Sequence, residues 1–457
     1  MRMAPAPRAL ALVAVLALFA GACGQYPGVH EAAVEQALQQ GTALTGDASG
    51  LSTGPGAAAG TAGTGQGAGT GGGSSTGPSG TSGGGGGSTG GGDATGVTAT
   101  TIKIGIHAPL TGAAPLPQSS FRSGKDLYWL RGNNGRPVVI YGRKVQVVFE
   151  DDQYNPSHAK QVCQKMAEQD KVFLLVGGGG TDQIQSCAQY AASRGIPYLS
   201  AGVTEVGLRQ LGNYFALSMS YTQQAPLLAD YIRKVLKVRS ASRVAMVATD
   251  TPNFDDAVQA FTRAFPGVTV FRHGKNERGS SMAQNLCTAT QKKFDVVFPL
   301  TAPTYYLEMA KFAQCRPQYV GVGITMGLDT VASTGCEADG STLNARFFSP
   351  APAFQDAPRF EPSFRNAGGQ DDIHWLLWGL SKTLHALFLK SGKNLTREGF
   401  AASTSRATIL SGVFPDLRYS PSDHFGARQV HVLRNVCQRR GNQAGYYVTE
   451  RAFASGF

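Results

Sequence analysis

The sequence predicts an α/β protein built as two doubly wound parallel-sheet lobes, joined by a hinge that the chain crosses several times. Two observations carry this expectation. Short runs rich in Val, Ile and Leu alternate with segments of helical spacing, the pattern of a parallel sheet covered on both faces. The alternation then runs a second time over a stretch of similar size, which predicts a second lobe and a cleft between the two.

The first 97 residues stand outside that rhythm. Residues 1–22 carry Arg2 and Arg8, an apolar core from Ala9 to Ala20 and small residues before Cys23. That is the pattern of a secretory signal peptide, too short for a membrane span. Cysteine directly after Ala20-Gly21-Ala22 resembles the lipobox of bacterial lipoproteins, although the family prefers leucine where this chain has Ala20. The resemblance implies that Cys23 is acylated and becomes the mature N-terminus. Residues 23–97 then read as a lipid-anchored tether. From about Gly41 to Gly96 the chain is almost wholly Gly, Ser, Thr and Ala, which cannot bury enough apolar surface to offset the entropy of ordering. Such a tether spans on the order of 50 Å.

The folded part begins with the β-branched run Thr101–Ile106, followed by a helix on which Phe121, Leu127 and Leu130 share one face. Lys144–Asp152 is the next strand, SHAKQVCQKMAEQ the next helix, and KVFLLVGG, IQSCAQYAASRG and Pro197–Gly202 continue the series. The second round runs through the helix APLLADYIRKVLK, the strand Arg243–Asp250, the helix DDAVQAFTRAF, and then VTVFRHG, SMAQNLCTATQKK, DVVFPL, YYLEMAKFAQC and YVGVGI. His374–Gly392 reads as a long helix and Arg428–Val436 as a late strand. The expected division is residues 98–219 for the first lobe, completed by about 347–411. Residues 220–346 form the second, completed by about 412–457.

The formal charge of +11 comes from scattered Arg and Lys. No aromatic-laced basic stripe is present, so the charge points to an anionic envelope or membrane surface and not to nucleic acid. Seven cysteines leave six once Cys23 is set aside. An even count in an exported chain favours disulfides, and no CxxC or Cys/His spacing suggests a metal; no cofactor is expected either.

Ligands of open α/β sheets sit beyond the carboxyl ends of the strands. The most conspicuous such end is LLVGGGGTDQIQSC, where four glycines lead into Thr181. A phosphate loop requires a lysine that is absent here, and Asp182 would repel a triphosphate. A dinucleotide turn belongs on the first strand, and this is the third. Two readings remain: a turn that needs glycine for tight geometry, or one that offers Gly180 and Thr181 to a small anion. Catalysis finds no support. There is no GxSxG elbow and no histidine near a plausible nucleophile. His107 ends the first strand and is the one histidine placed to reach a cleft, Asp151 and Asp152 read as caps of the loop before the helix at Pro156, and Trp375 and Trp378 read as core. The chain is expected not to be an enzyme.

VTATTIKIGIHAPLTG, KVQVVFEDDQYNPSHAKQVCQKM and VFLLVGGGGTDQIQSCAQYAASRGIPYLSAGVTE together resemble the leucine/isoleucine/valine-binding family, the type I periplasmic binding proteins that feed ABC importers. The resemblance runs from about Thr98 to Val436. It implies that Thr181 binds a ligand carboxylate, with Gly202 and Thr204 adding a backbone group and a hydroxyl. Pro117 stands where the family has a first-loop aromatic, and Phe254 stands near its second-lobe aromatic. The acid that holds a ligand ammonium in the family is not matched: Thr325 and Met326 occupy its place, with Asp329 three residues on. The function so implied is capture of a small carboxylate-bearing solute, an amino acid or related compound, for permease subunits of an ABC importer. The alternative is a ligand sensor of the same fold signalling to a membrane partner. The expected location is the outer face of the cytoplasmic membrane.

Repetition of the architecture also predicts the disulfides. Cys163 and Cys187 lie on the helices before and after KVFLLV, and Cys287 and Cys315 are expected in the same two places around DVVFPL. Cys336 and Cys437 pair by elimination. Helices on one face of a sheet can bring Cα atoms within the reach of such a bond.

Overall fold

The computed structural model describes residues 92–200, 207–288, 291–323, 327–337 and 340–457. The signal peptide, Cys23, nearly all of the tether, and Gly202, Thr204, Thr325 and Met326 lie outside the described residues.

The first lobe contains β1 (Thr101–Ala108), α1 (Gln118–Arg131), β2 (Val139–Ile140), β3 (Arg143–Asp151), α2 (Pro156–Glu168), β4 (Leu174–Gly177), α3 (Thr181–Ser193), β5 (Tyr198–Ser200) and β6 (Tyr214–Ala216). Its sheet has the order β2-β3-β1-β4-β5-β6. All neighbours run parallel except β2 and β3, which form a hairpin. Strand β4 is buried along its whole length, as a central parallel strand must be.

The second lobe follows with α4 (Tyr221–Lys234), β7 (Val244–Thr249), α5 (Asp255–Ala264), β8 (Thr269–His273), α6 (Gly279–Leu286), β9 (Cys287–Thr288), β10 (Gln291–Lys292), β11 (Val296–Leu300), α7 (Pro303–Phe312), β12 (Gln318–Val322), α8 (Asp329–Glu337) and β13 (Arg346–Ser349). The remainder supplies α9 (Ala357–Phe360), α10 (Pro362–Asn366), α11 (Asp372–Ser391), α12 (Arg397–Thr404), the small ribbon β14 (Thr408–Ile409) and β15 (Leu417–Arg418), β16 (Val430–Val436) and β17 (Tyr446–Ala454). The second sheet has the order β17-β16-β13-β12-β11-β7-β8. Its β17-β16-β13 edge is antiparallel, so each lobe is mixed where the sequence predicted purely parallel sheets.

The chain crosses between lobes three times. It leaves the first after β6, and α4 packs with α5. It returns after β13, and α11 packs along α1. It leaves again after Gly426, whose N–H donates to the Ala216 carbonyl at 3.0 Å. Trp375 and Trp378 on α11 are each 1% exposed and belong to the core. The hydrophobic clusters of both lobes are drawn from residues between Ile102 and Ala454, so residues 92–457 carry the cores they need to fold.

Three disulfides join Cys163 to Cys187, Cys287 to Cys315 and Cys336 to Cys437, with Cα separations of 5.9, 5.7 and 5.2 Å. These are the expected pairs, but the two lobes are less alike than a simple repeat predicts. Cys163 and Cys187 sit on packed helices α2 and α3. Helix α6, by contrast, stops at Leu286, and Cys287 opens a short antiparallel ribbon with Gln291–Lys292. Cys315 follows the end of α7.

Candidate solute-binding cleft

Two of the four glycines are required by their surroundings. A Cβ on Gly177 would stand 2.1 Å from the Tyr198 hydroxyl, and one on Gly180 would meet Gln183 Oε1 at 2.1 Å. Gly180 also has φ 75°, which favours glycine. The turn delivers Thr181 as the first residue of α3, where the leading N–H groups have no partner within the helix. Thr181 is half-buried, and among the described residues its hydroxyl has no protein partner.

The loop after β3 is strained. Gln153 and Tyr154 take φ of 55° and 53° in succession, each costing about 1–2 kcal/mol for a residue with a Cβ. Asp151 braces the loop, accepting from the Leu110 N–H at 2.8 Å, the Thr111 hydroxyl at 2.6 Å and the Gln153 N–H at 2.9 Å. Burial works to raise the Asp151 carboxyl, but these bonds outweigh it and hold the group below the usual carboxylate range. The loop turns Tyr154 inward. Its phenol is pushed up by burial first, then by Asp182, Tyr221 and Asp152.

The second lobe meets the first here. Asp182, in the first turn of α3, accepts from the Asn253 amide, from the Thr251 hydroxyl at 3.4 Å and from the Lys275 ammonium. Tyr221 and Phe254 pack edge to face with centroids 5.8 Å apart. The cleft therefore has a helix N-terminus with a free hydroxyl on one side, Asn253 and Lys275 on the other, and an aromatic wall of Tyr154, Tyr221 and Phe254. These groups can bind and orient a small anion with an apolar body.

A family model described as "Periplasmic binding protein" matches residues 101–440. The chain belongs to this family. A curated "Amino acid binding protein" of Pseudomonas aeruginosa is 28% identical over 170 residues, a match covering 36% of this chain and 42% of that relative. The chain's match thus spans about two-fifths of that relative's length. A fatty acid ABC transporter substrate-binding protein from Thermomonospora curvata superposes with TM-score 0.65 at 16% identity, over 80% of this chain and 95% of the other. A solute binding protein of an ABC transporter from Rhodopseudomonas palustris, in complex with 3,4-dihydroxybenzoic acid, gives TM-score 0.60 at 16% identity, over 77% and 96%. The two solved structures share its fold.

Set against this periplasmic-type binder, the residues singled out from the sequence divide. Gly180, Thr181 and Phe254 sit at the cleft. Pro117 precedes α1, half-buried. Asp329 is 3% exposed, and its carboxylate accepts from the Tyr447 N–H at 2.8 Å and the Gln355 amide at 3.1 Å. Both of its oxygens thus serve the fold. His107 does not reach the cleft. It is fully buried, bonded to Asp152 Oδ2 through Nδ1 at 2.8 Å and to the Tyr198 hydroxyl through Nε2 at 2.7 Å. Asp151 and Asp152 cap the loop before α2, as expected, accepting from the N–H groups of Gln153 and Tyr154 at 2.9 and 3.0 Å. Asn155 caps α2, accepting from the N–H groups of Ser157 and His158, because its side chain lies directly before Pro156. Tyr154, Tyr221, Asn253 and Lys275 escaped the sequence reading. Their convergence depends on a left-handed residue pair and on lobe closure, neither of which has a sequence signature.

Proposed function

We propose that this periplasmic binding protein captures a small carboxylate-bearing solute, an amino acid or related compound, between its lobes and delivers it to the permease of an ABC importer. The observation that carries the reading is Thr181, a hydroxyl at a helix N-terminus with no partner among the described residues, next to Asp182, which bonds across to the second lobe. A carboxylate there gains charge-assisted hydrogen bonds contributing about 1.5–3 kcal/mol each and the favourable end of the helix dipole. Gly202 and Thr204 complete the anchor in this reading. Tyr154, Tyr221 and Phe254 suit an apolar body. The similar proteins support it: one is described as binding an amino acid, one a fatty acid and one a hydroxylated benzoic acid. The group these share is a carboxylate. With both oxygens of Asp329 engaged, the ammonium of an amino acid has no partner from that residue, which favours apolar or aromatic carboxylates. Export by residues 1–22 and a lipid on Cys23 would hold the domain on the outer face of the membrane.

A thermal-shift screen of residues 92–457 tests this. Amino acids, fatty acids and hydroxybenzoates are compared with their amides and with sugars. A ligand at about 100 times its Kd stabilises the protein by about 2.7 kcal/mol. A shift with an amide or a sugar, and none with any carboxylate, removes the reading.

A further inference from the structure

The edge of the first lobe carries a surface that solute binding does not use. Strand β2 is the outermost strand of its sheet. It joins β3 through a two-residue turn in which Tyr141 has φ 50° and Gly142 φ 84°. Asn or Gly is the usual first residue of such a turn; here the strained position holds an aromatic ring that is 43% exposed. Tyr141 donates its hydroxyl to the Leu389 carbonyl at 2.9 Å, which sets the hairpin beside the last turn of α11. Val139 and Leu389 flank it, 49% and 45% exposed, and Leu130 at the end of α1 is 59% exposed. Four large apolar side chains thus lie open at one corner of the lobe.

The same corner is rich in basic residues. From Leu127 to Phe149 the chain has four basic residues and no acid, and from Ile373 to Arg397 again four and none. The fold brings these two stretches together: Arg143 donates to the Thr98 carbonyl at 2.8 Å and to the Lys393 carbonyl at 3.0 Å. Lys382 and Arg397 are satisfied by Glu361 and Asp93. Arg136, Lys144, Lys390 and Lys393 are exposed and take part in no ion pair among the described residues. Lys390 also borders a shallow groove with Ser403 and Arg406.

The tether joins the lobe at this corner. Asp93 accepts from the Arg397 N–H at 2.8 Å and from its guanidinium at 2.6 Å, four residues from Lys393. Exposed Tyr and Leu ringed by Lys and Arg is the composition that enters a lipid interface, the rings among headgroups and the cations against anionic phosphates. We infer that this corner, Leu130, Val139, Tyr141 and Leu389 with Arg136, Lys144, Lys390 and Lys393, docks the first lobe on an anionic phospholipid surface. Docking there fixes the orientation of the cleft relative to the membrane.

Vesicle co-sedimentation of residues 92–457, which carry no lipid, tests the inference. Phosphatidylglycerol-rich vesicles are expected to bind the protein and phosphatidylcholine vesicles not to, with binding weakening as salt rises. The triple variant Lys144→Glu/Lys390→Glu/Lys393→Glu should lose binding at least tenfold. A control triple of equal charge change on the second lobe, Lys237→Glu/Lys292→Glu/Lys311→Glu, should keep most of it. Tyr141→Ser should also weaken binding without altering charge. Equal losses in the two triples would show that net charge alone acts, and would overturn the assignment of this corner. Absence of binding to anionic vesicles overturns it as well, including the case in which the corner variants impair transport, since the occupant is then a protein.

Discussion

The backbone N–H of Asp329 donates to Asp372 Oδ2 at 2.7 Å, with both residues buried. This bond ties the start of α8 in the second lobe to the start of α11, which packs along α1 of the first. It places two carboxyl groups side by side at the crossing between lobes. Burial, then Asp329, then Asp371 push the Asp372 carboxyl well up, and burial raises Asp329 to about 6. Together they make the crossing sensitive to pH.

A carboxyl whose folded value lies above its unfolded value binds its proton more tightly in the native state. Its stabilisation is complete below about pH 4 and is lost as pH rises through about 6. Asp372→Asn keeps an oxygen for the Asp329 N–H and removes one charge. The variant should melt higher than the wild type above about pH 7, with the gap closing below about pH 5. Parallel melting curves across that range would show that the pair does not govern the crossing.

Thr181→Ala should weaken the ligand found by the screen about tenfold, the equivalent of about 1.4 kcal/mol. Thr204→Ala should do the same. The melting temperature of the ligand-free Thr181→Ala protein should stay unchanged, because that hydroxyl has no partner among the described residues. Calorimetric titration gives the affinity, and wild-type affinity in both variants removes the carboxylate anchor from this turn.

Asp182 holds the lobes together through Asn253, Thr251 and Lys275. Asp182→Ala should open the ligand-free protein, increasing its radius of gyration in small-angle scattering. It should also make closure more dependent on ligand. An unchanged scattering curve would mean that other contacts keep the cleft shut.

Cys163 and Cys187 are 24 residues apart. Closing a loop of that length stabilises the fold by about 3.5 kcal/mol in the chain-entropy model. The double variant Cys163→Ala/Cys187→Ala should melt markedly lower than the wild type and do so equally with or without reductant for that bond. Non-reducing peptide mapping checks the pairing itself: a Cys163 peptide joined to any partner but the Cys187 peptide contradicts it.

Acylation of Cys23 is read out by processing. Cys23→Ser, or globomycin treatment, should leave unprocessed precursor and reduce membrane association. Mass spectrometry that finds an unmodified N-terminus elsewhere in the mature protein removes the anchor.

What the sequence determined by itself is the part set by local pattern. Runs such as VAMVA and LLVG carry no polar side chain because both sheet faces are covered, and that alone marks a parallel α/β lobe. Repetition of the pattern marked two lobes and pointed to the cysteine pairs, although Cys287 and Cys315 do not sit on helices as Cys163 and Cys187 do. The short strands β6 and β13 and the closing strand β17 left no comparable trace. Tyr214–Ala216 is only three residues long, and Tyr446–Ala454 is interrupted by Thr449, Glu450 and Arg451 and lacks a clean apolar alternation. Antiparallel pairing with β16 makes it a strand, and that pairing is a property of distant residues. The cleft divides in the same way. Thr181 was legible because a glycine turn before a helix is a local feature. Tyr154 reaches it only through two consecutive left-handed residues, and Asn253 and Lys275 only through closure of a second lobe. The role of Asp329 was likewise decided in three dimensions. Nothing near it in the chain foretells Tyr447, Gln355 and Asp372, which come from three later segments and turn an apparent ligand acid into the buried joint of the hinge.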